Sequence, residues 1–496
     1  MWKDLAKQET TNLRLFMKKE QKFQKQRGIR IILVNLFMVS VVLVVTVFLL
    51  LISMGFRFGL GGVMERTGMV QINSLPVGAN VDVNGERISV RTNLSRTFSP
   101  GVHEFRVYAD RYDSWTKRVT VRPGILTRLN YVRLFPVDRT TNDVTQYDSV
   151  YGVVTAPGRQ SIVVMKTMSS WDYIDTRGSS PRIYPVDITA AFSEGELDWA
   201  TDIEIVDWSL NGRIVLLKVS YQDEGISWSV LDLSKPADRK NLTEAFGMYF
   251  TDMKFADGSG GMGISLESGN LRYLDLSREM ISAPIADRVD SMHATRGIIG
   301  YVRTKANGDK EIGMWREGMA KPRIIESLSS DDIEGLHSQI VFGEFENRGW
   351  IAVITGRQCN MYFGDLDRID RSEQFKTKDS VLLSFDLVHA SVSPGGRFVM
   401  LELSETIQII DTENGQVYPT IGRVGGGVLS WMDDYMLFQN TDGDGLVVMD
   451  FDGSNERALI EGNKLPILVS PDNRWMYYFE EWAGGVMALK RWQILY

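Results

Sequence analysis

The chain is poor in the residues that build stapled or metal-bound sites. Across 496 residues it has one cysteine, Cys359, and four histidines. A single thiol excludes an intramolecular disulfide framework, a cysteine-rich zinc site and an iron–sulfur cluster. So few histidines argue against a multi-histidine metal centre. P-loop, H-E-x-x-H, G-x-S-x-G and protein-kinase signatures are absent, as is a lipobox cysteine, so no motif leads to a catalytic class. The net charge of −8, from 55 Lys and Arg against 63 Asp and Glu, argues against nucleic acid as the main partner. Hydrophobic content of 44% and charged content of 24% exclude a wholly disordered chain, and the length calls for two or more folded units.

What is present begins with a long uncharged run. Residues 31–56 (IILVNLFMVSVVLVVTVFLLLISMGF) carry no charge and are closed by Arg30 and Arg57. About 20 apolar residues suffice to cross a bilayer as a helix, so this segment reads as a transmembrane helix. The tail before it, residues 1–30, holds nine Lys and Arg against three acids. Positive flanks stay inside, which predicts a cytoplasmic N-terminus and export of everything downstream. The run is too long for a signal-peptide core and no clean small-x-small site follows it, so it reads as an uncleaved, single-pass signal anchor. The basic tail serves topology and meets anionic lipid. Residues 57–68 read as a glycine-rich linker.

Residues 69–136 alternate like short strands with turn punctuation. MVQINS and NVDVNGE alternate, and Asn84-Gly85 is a strong hairpin signal because both residues accept positive φ. Ser99-Pro100-Gly101 and Pro123-Gly124 mark further turns. Six short strands predict a small β-sandwich. The run "VQINSLPVGANVDVNGERI…SPGVHEFRVYADRYDSWTKRVTVRPG" resembles a PEGA domain. The matching positions are Ser74, Pro76, Gly78, Ala79, Gly85, Gly101, His103 and Tyr112. Val77 replaces the eponymous glutamate, Arg91-Thr92-Asn93 stands where Thr-Pro is usual, and Arg111 replaces a glycine. The resemblance implies an exported, non-catalytic interaction module with these positions in structural roles. His103 reads as a strand residue rather than a ligand. Residues 66–136 hold eleven Lys and Arg against five acids. Arg87, Arg91, Arg96, Arg106, Arg111, Lys117, Arg118, Arg122, Arg128 and Arg133 are the candidates to meet anionic lipid or wall polymer, against the plainer reading of a solvated surface.

From about residue 148 onward the chain repeats, within a module taken as residues 137–496. The unit is a hydrophobic strand, a polar turn, a second strand, then a third strand ending near Asp, with clear copies at 206–220, 390–404 and 468–481. A spacing of about 35–50 residues without helical periodicity points to a β-propeller of four-stranded blades. Ser393-Pro394-Gly395-Gly396 and Ser470-Pro471-Asp472-Asn473 resemble the TolB/WD40-like repeat, without the Trp-Asp and Gly-His signatures of true WD40 repeats. Eight blades are expected, starting near 150, 203, 249, 292, 338, 388, 427 and 466, with seven as the alternative. The last supplies three strands, and a fourth from 137–147 or from the first repeat would close the ring. This module carries 34 Lys and Arg against 54 acids.

Four candidate chemistries remain. Gly258–Gly263 fits G-x-G-x-x-G, but a strand follows where the dinucleotide fingerprint needs a helix, so it reads as a hairpin loop. Asn440, Asp442 and Asp444 resemble the start of a calcium loop, with Asp450 and Asp452 nearby. Val448 and Phe451 stand at its later ligand positions, which favours a tight turn. Cys359 would need a nearby histidine to act as a nucleophile and reads as a structural or surface thiol. His293, His337 and His389 lie in different repeats. The 12 Trp and 17 Tyr read as blade packing rather than a glycan-stacking site. No catalytic residue, metal or cofactor is assigned.

The expectation is therefore an all-β exported region, a small β-sandwich and a propeller, behind one N-terminal transmembrane helix. Its work would be binding or scaffolding a protein, peptide or glycan of a prokaryotic envelope. The alternatives are a propeller-based hydrolase or lyase and a ligand sensor acting through the cytoplasmic tail.

Overall fold

The computed structural model describes residues 33–51, 56–58, 64–222, 224–330, 338–369, 375–413, 415–419, 421–422, 429–441, 445–460, 468–482 and 485–495. A helix spans Leu33–Leu51 with a mean hydropathy of 2.8 and none of its most apolar stretch buried within the protein. At 1.5 Å per residue it is about 28 Å long, close to the thickness of a bilayer's hydrocarbon core. Its polar side chains turn inward on the backbone: Ser40 donates to Phe37 O and Thr46 to Val42 O, both at 2.8 Å. Phe56, at the end of the expected span, belongs instead to a short strand, Phe56–Phe58, paired with Met64–Arg66. Part of the expected linker is thus a hairpin.

The chain divides into two compact units. One contains the described residues up to Leu134 except Arg111–Asp113, and the other contains Arg111–Asp113 and Phe135 onward. The first unit is a sandwich of a three-stranded and a four-stranded sheet. Gly68–Leu75 lies central in the smaller sheet, antiparallel to Leu94–Phe98 and parallel to Leu126–Arg133. The larger sheet orders 86–87, 80–83, 101–108 and 115–121. Alternation does the sorting: Val70, Ile72, Val81, Phe105, Val107 and Trp115 are all fully buried between the sheets.

Among the described residues, the second unit contains eight antiparallel four-stranded sheets. Seven are continuous meanders, at 152–187, 200–241, 252–281, 289–328, 338–382, 387–422 and 429–460. The eighth takes its first three strands from 468–493 and its fourth from Thr141–Tyr147, which pairs antiparallel with Met487–Gln493. These are blades 1 to 8 in that order. Neighbouring blades share cores: Val163, Trp171 and Val186 of blade 1 pack with Ile203, Val215 and Leu231 of blade 2. The ring closes because Ile162, Val164 and Ile174 of blade 1 also pack with Tyr477, Phe479 and Leu489 of blade 8. The early strand therefore ties the last blade to the start of the chain. Phe135, placed by sequence in the sandwich, stacks on Trp492 at 6.1 Å within this unit.

First strands line the centre and touch one another across blades. Asp207 in blade 2 accepts from Phe255 N–H of blade 3 at 2.8 Å, and Gln339 in blade 5 accepts from Ala390 N–H of blade 6 at 2.9 Å. The ring has two faces. On the turn face, strand one meets strand two and strand three meets strand four. On the linker face, strand two meets strand three and each blade passes to the next.

The repeat's serine has a definite task on the turn face. Ser209, Ser393 and Ser470 are buried, and each Oγ accepts the N–H five residues on, from Ile214, Phe398 and Trp475, at 3.0 Å in every case. The aspartate ending strand three closes an Asx turn: Asp175, Asp232, Asp275 and Asp411 each accept the N–H two residues on, at 2.8–3.1 Å. Adjacent turns are then stitched together. The links run from Arg159 to Asn473 (3.1 Å), Gln160 to Leu210 O (2.5 Å), Leu210 N–H to Gly258 O (2.8 Å) and Gly297 N–H to Ala256 O (2.7 Å). They continue through Arg296 with Glu344, Trp350 Nε1 to Gly396 O (2.7 Å) and Gly395 N–H to Asp434. Among the described residues this belt joins blade 8 through blade 1 to blade 7.

Candidate functional site

The sandwich motif residues form a clamp between two loops. Ser74 Oγ lies 2.6 Å from Pro76 O and 2.5 Å from Thr92 Oγ1. Ala79 N–H donates to Thr92 Oγ1 at 2.9 Å, Gly78 N–H to Thr92 O at 2.7 Å, and Ser74 N–H to Asn93 Oδ1 at 3.0 Å. Thr92 and Asn93, the pair that departs from the usual Thr-Pro, are thus the acceptors that hold Ser74, Gly78 and Ala79. Gly78 takes φ 84°, open only to glycine at low cost, and Asn84-Gly85 (φ 51° and 84°) makes the expected turn. Gly101 opens the strand Gly101–Tyr108, and Tyr112 bridges Pro136 within the second unit. His103 lies on that strand. Its Nε2 bonds Ser99 O at 2.8 Å, an oxygen that can only accept, so Nδ1 is left to accept from Asn84 Nδ2 at 3.1 Å. Both ring nitrogens are used locally.

The propeller disposes of several sequence candidates. Residues 258–261 lie in the loop between Asp252–Phe255 and Met262–Glu267, and 262–263 open the second strand, a hairpin as expected. Cys359 is fully buried with Val341, Ala352 and Ile354, and burial pushes its thiol up to about 12. His293 sits edge-on to Phe342, ring centroids 4.9 Å apart, and burial together with the Lys254 charge pushes its imidazole down to about 4. His389 is exposed on the first strand of blade 6. Asp442, Asp444 and His337 lie outside the described residues, as does the side chain of Asn440. The strands flanking that loop, Met436–Thr441 and Gly445–Asp450, pair as a hairpin. Asp450 accepts from Ser454 Oγ (3.2 Å) and Asn455 Nδ2 (2.9 Å), and Asp452 from Ser454 Oγ (2.6 Å), so these carboxylates hold a turn. Among the described residues, no group of three or more His, Cys, Asp or Glu is arranged to hold a metal.

The first strands of blades 2 and 3 carry Asp202, Glu204, Asp252 and Lys254, and the Lys254 charge acts on Asp252. Burial raises the Asp252 carboxyl, partly offset by Lys254 and Lys218. Asp207 is raised by burial too, but its oxygens accept N–H groups of Phe255 and Trp208, so it serves as an inter-blade tie.

Sequence reasoning missed a set of exposed rings on the linker face. Five tryptophans are fully buried (Trp115, Trp171, Trp228, Trp350 and Trp492), as expected for packing. Trp199, however, is 65% exposed, Tyr249 67%, Tyr151 46% and Trp482 36%. Tyr151, Trp199 and Tyr249 precede the first strands of blades 1, 2 and 3, and Trp482 follows the second strand of blade 8. All four stand on the linker face of four consecutive blades. Tyr151 OH donates to Asp202 at 2.5 Å, joining blades 1 and 2 there. Trp199 ends a segment, 188–199, held by Arg239. This buried guanidinium donates to Glu196 (3.0 Å), Ala191 O (3.0 Å) and Ser229 (2.8 Å), and lies 3.8 Å from the Phe192 ring centroid. The available signal was position: each ring lies just outside a predicted strand.

Comparison with known protein families bears on the first unit. Residues 67–134 match the PEGA domain family. None of the curated proteins matches the chain. Among solved structures, the Cps50 (Swd1) β-propeller domain of Myceliophteria thermophila is 12% identical with a TM-score of 0.41, over 65% of this chain and 100% of that one. Apo AztD from Citrobacter koseri is 8% identical with a TM-score of 0.39, over 80% and 96%. Hydrazine synthase of Kuenenia stuttgartiensis is 10% identical with a TM-score of 0.36, over 62% and 97%. The propeller assignment itself rests on the eight sheets and their closed ring of shared cores. The PEGA match and the propeller fold together suggest an extracellular or membrane-associated binding or scaffold module.

Proposed function

We propose that this chain is a single-pass membrane protein, cytoplasmic at its N-terminus, that holds an envelope partner through its exported sandwich and propeller. The observation that carries the reading is the linker face. It presents exposed aromatic rings on four consecutive blades, while the turn face is stitched from blade to blade. An exposed ring contributes nothing to the blade core it sits beside, so its value lies in what it meets outside. The basic tail and uncharged run support the orientation. Exposed arginines of the sandwich, such as Arg96, Arg106 and Arg118, supply a second, cationic surface for anionic lipid or wall polymer.

The test is crosslinking of the whole chain in its native envelope, followed by identification of what is retained. A reproducible envelope partner is expected, and retrieval of none overturns the reading. An enzymatic role would centre on Asp252 and Lys254. It would be favoured if Asp252→Asn abolished a turnover that the linker-face rings do not influence.

A further inference from the structure

We infer that the linker face of blades 8, 1, 2 and 3 docks a lysine- and arginine-rich segment of another polypeptide. The inference rests on the binding role proposed above and names its site and partner chemistry.

The rings stand among carboxylates with hardly a cation. Among the described residues, the linker-face stretches 148–151, 188–199, 224–225, 242–251 and 485–486 hold the acids Asp148, Glu194, Glu196, Asp198, Glu224 and Glu244 and no Lys or Arg. Two cations join them: Lys166 in the remaining linker-face turn of blade 1, whose ammonium bonds Asp172 at 2.8 Å, and Arg288 in the segment leaving blade 3, which pairs with Asp287 at 3.1 Å. Glu196 is committed to Arg239. Asp148, Glu194, Asp198, Asp202, Glu224 and Glu244 are exposed. The turn face differs: Arg159, Arg177, Arg213, Arg278 and Arg474 lie in its turns. Turn-face acids are thus interleaved with arginines, whereas these linker-face segments carry acids alone.

Aromatic faces beside carboxylates recognise ammonium and guanidinium groups, the ring through its quadrupole and the acid through a charge-assisted hydrogen bond. This face already does so once with its own chain. Lys490 lies 5.5 Å from the Trp482 ring centroid and pairs with Glu480, and Glu480 also accepts from Trp482 Nε1 at 2.9 Å. A neutral glycan would use the rings and hydrogen-bond the acids through its hydroxyls, but it has no charge to set against theirs. An anionic polymer would be repelled.

The test uses the full chain in lipid nanodiscs and a fluorescein-labelled peptide of alternating lysine and glycine. A glutamate–glycine peptide and a chito-oligosaccharide are the comparison probes. Trp199 and Tyr249 are two-thirds exposed, so Trp199→Ala with Tyr249→Ala leaves the cores intact. Asp198→Asn with Glu224→Gln removes two charges from the same face, and Asp238→Asn with Glu317→Gln removes two from the turn face. The lysine peptide is expected to bind, to weaken about tenfold in each linker-face pair, and to change less than about twofold in the turn-face pair. Absence of peptide binding, equal weakening in the turn-face pair, or Trp199-dependent binding of the oligosaccharide alone would overturn the inference. If the whole chain retains envelope partners that the linker-face variants leave unchanged, the binding role stands and this site falls.

Discussion

Replacing Arg239 with methionine tests how the segment carrying Trp199 is held. The Arg239 side chain is 3% exposed, and its guanidinium forks onto Glu196 at 3.0 and 3.3 Å while bonding Ala191 O and Ser229. Removing one partner of a buried pair costs about 3–5 kcal/mol. Glu196 keeps some solvent contact and is still bonded by Tyr221 OH and Ser193 N–H, both at 2.9 Å. The cost therefore falls at or just below the bottom of that range, about 2–3 kcal/mol, felt as opening of 188–199 rather than of the ring. Hydrogen exchange on the full chain should show amides of 188–199 exchanging about 30- to 150-fold faster, with the blade strands unchanged. The pH dependence has a fixed sign. Burial alone would raise the Glu196 carboxyl, but the bonds from Arg239 and Ser193 outweigh it and hold the group below the usual glutamate range. A lowered folded value means the stabilisation is fully present above the unfolded value of about 4.3 and is lost as pH falls through the folded one. The wild type should thus lose protection in 188–199 below about pH 4.3, and Arg239→Met should lose that step. Unchanged exchange in this segment, or loss spread evenly over all blades, would refute the reasoning.

Ser393→Ala and Ser470→Ala should each cost about 1–3 kcal/mol in urea unfolding, because the N–H groups of Phe398 and Trp475 lose their side-chain acceptor; a change under about 0.5 kcal/mol would count against the turn-serine account. Thr92→Val should destabilise the sandwich by a similar amount by removing the hydroxyl that meets Ala79 N–H and Ser74 Oγ, read as selective loss of exchange protection in 68–83. Cys359 should resist a thiol-specific maleimide at pH 8 in the native chain and react on denaturation, since burial holds the thiol at about 12; rapid native labelling would show that the core around it opens.

The blades were legible because each repeats the same short-range chemistry. A serine before the turn and an aspartate after strand three recur at intervals that composition alone exposes, and first strands at 152, 200, 252, 289, 338, 387, 429 and 468 follow the sequence-derived starts within a few residues. The closing strand was also anticipated, since a final repeat with three strands leaves an unpaired edge that some other segment must cover. Other features depend on contacts far apart in sequence. Thr92 gave no local sign of anchoring Ser74 and Ala79, and Phe135 reads as a strand end until Trp492, hundreds of residues away, is placed beside it. Trp199 and Trp171 are the same residue type, and only the folded ring tells the exposed one from the buried one.

The same limit applies to charge. The propeller's surplus of acids looks uniform in sequence, yet it comprises groups with different work. Asp175, Asp232, Asp257, Asp275, Asp365, Asp411, Asp433 and Asp472 each accept a backbone N–H two residues on, all at turn-face loops. Those acids are present because extended strands must end and their next N–H groups need acceptors, and several have a turn-face arginine beside them, as Arg177 lies beside Asp175 and Arg397 beside Asp411. They would be there whatever the protein bound. The acids of 148–151, 188–199, 224–225 and 242–251 are a different set, in segments without a Lys or Arg and next to rings that no core uses. Net charge therefore says little about a partner of this fold. The argument for a cationic one stands on that second set alone, which is why the decisive comparison removes equal charge from the two faces.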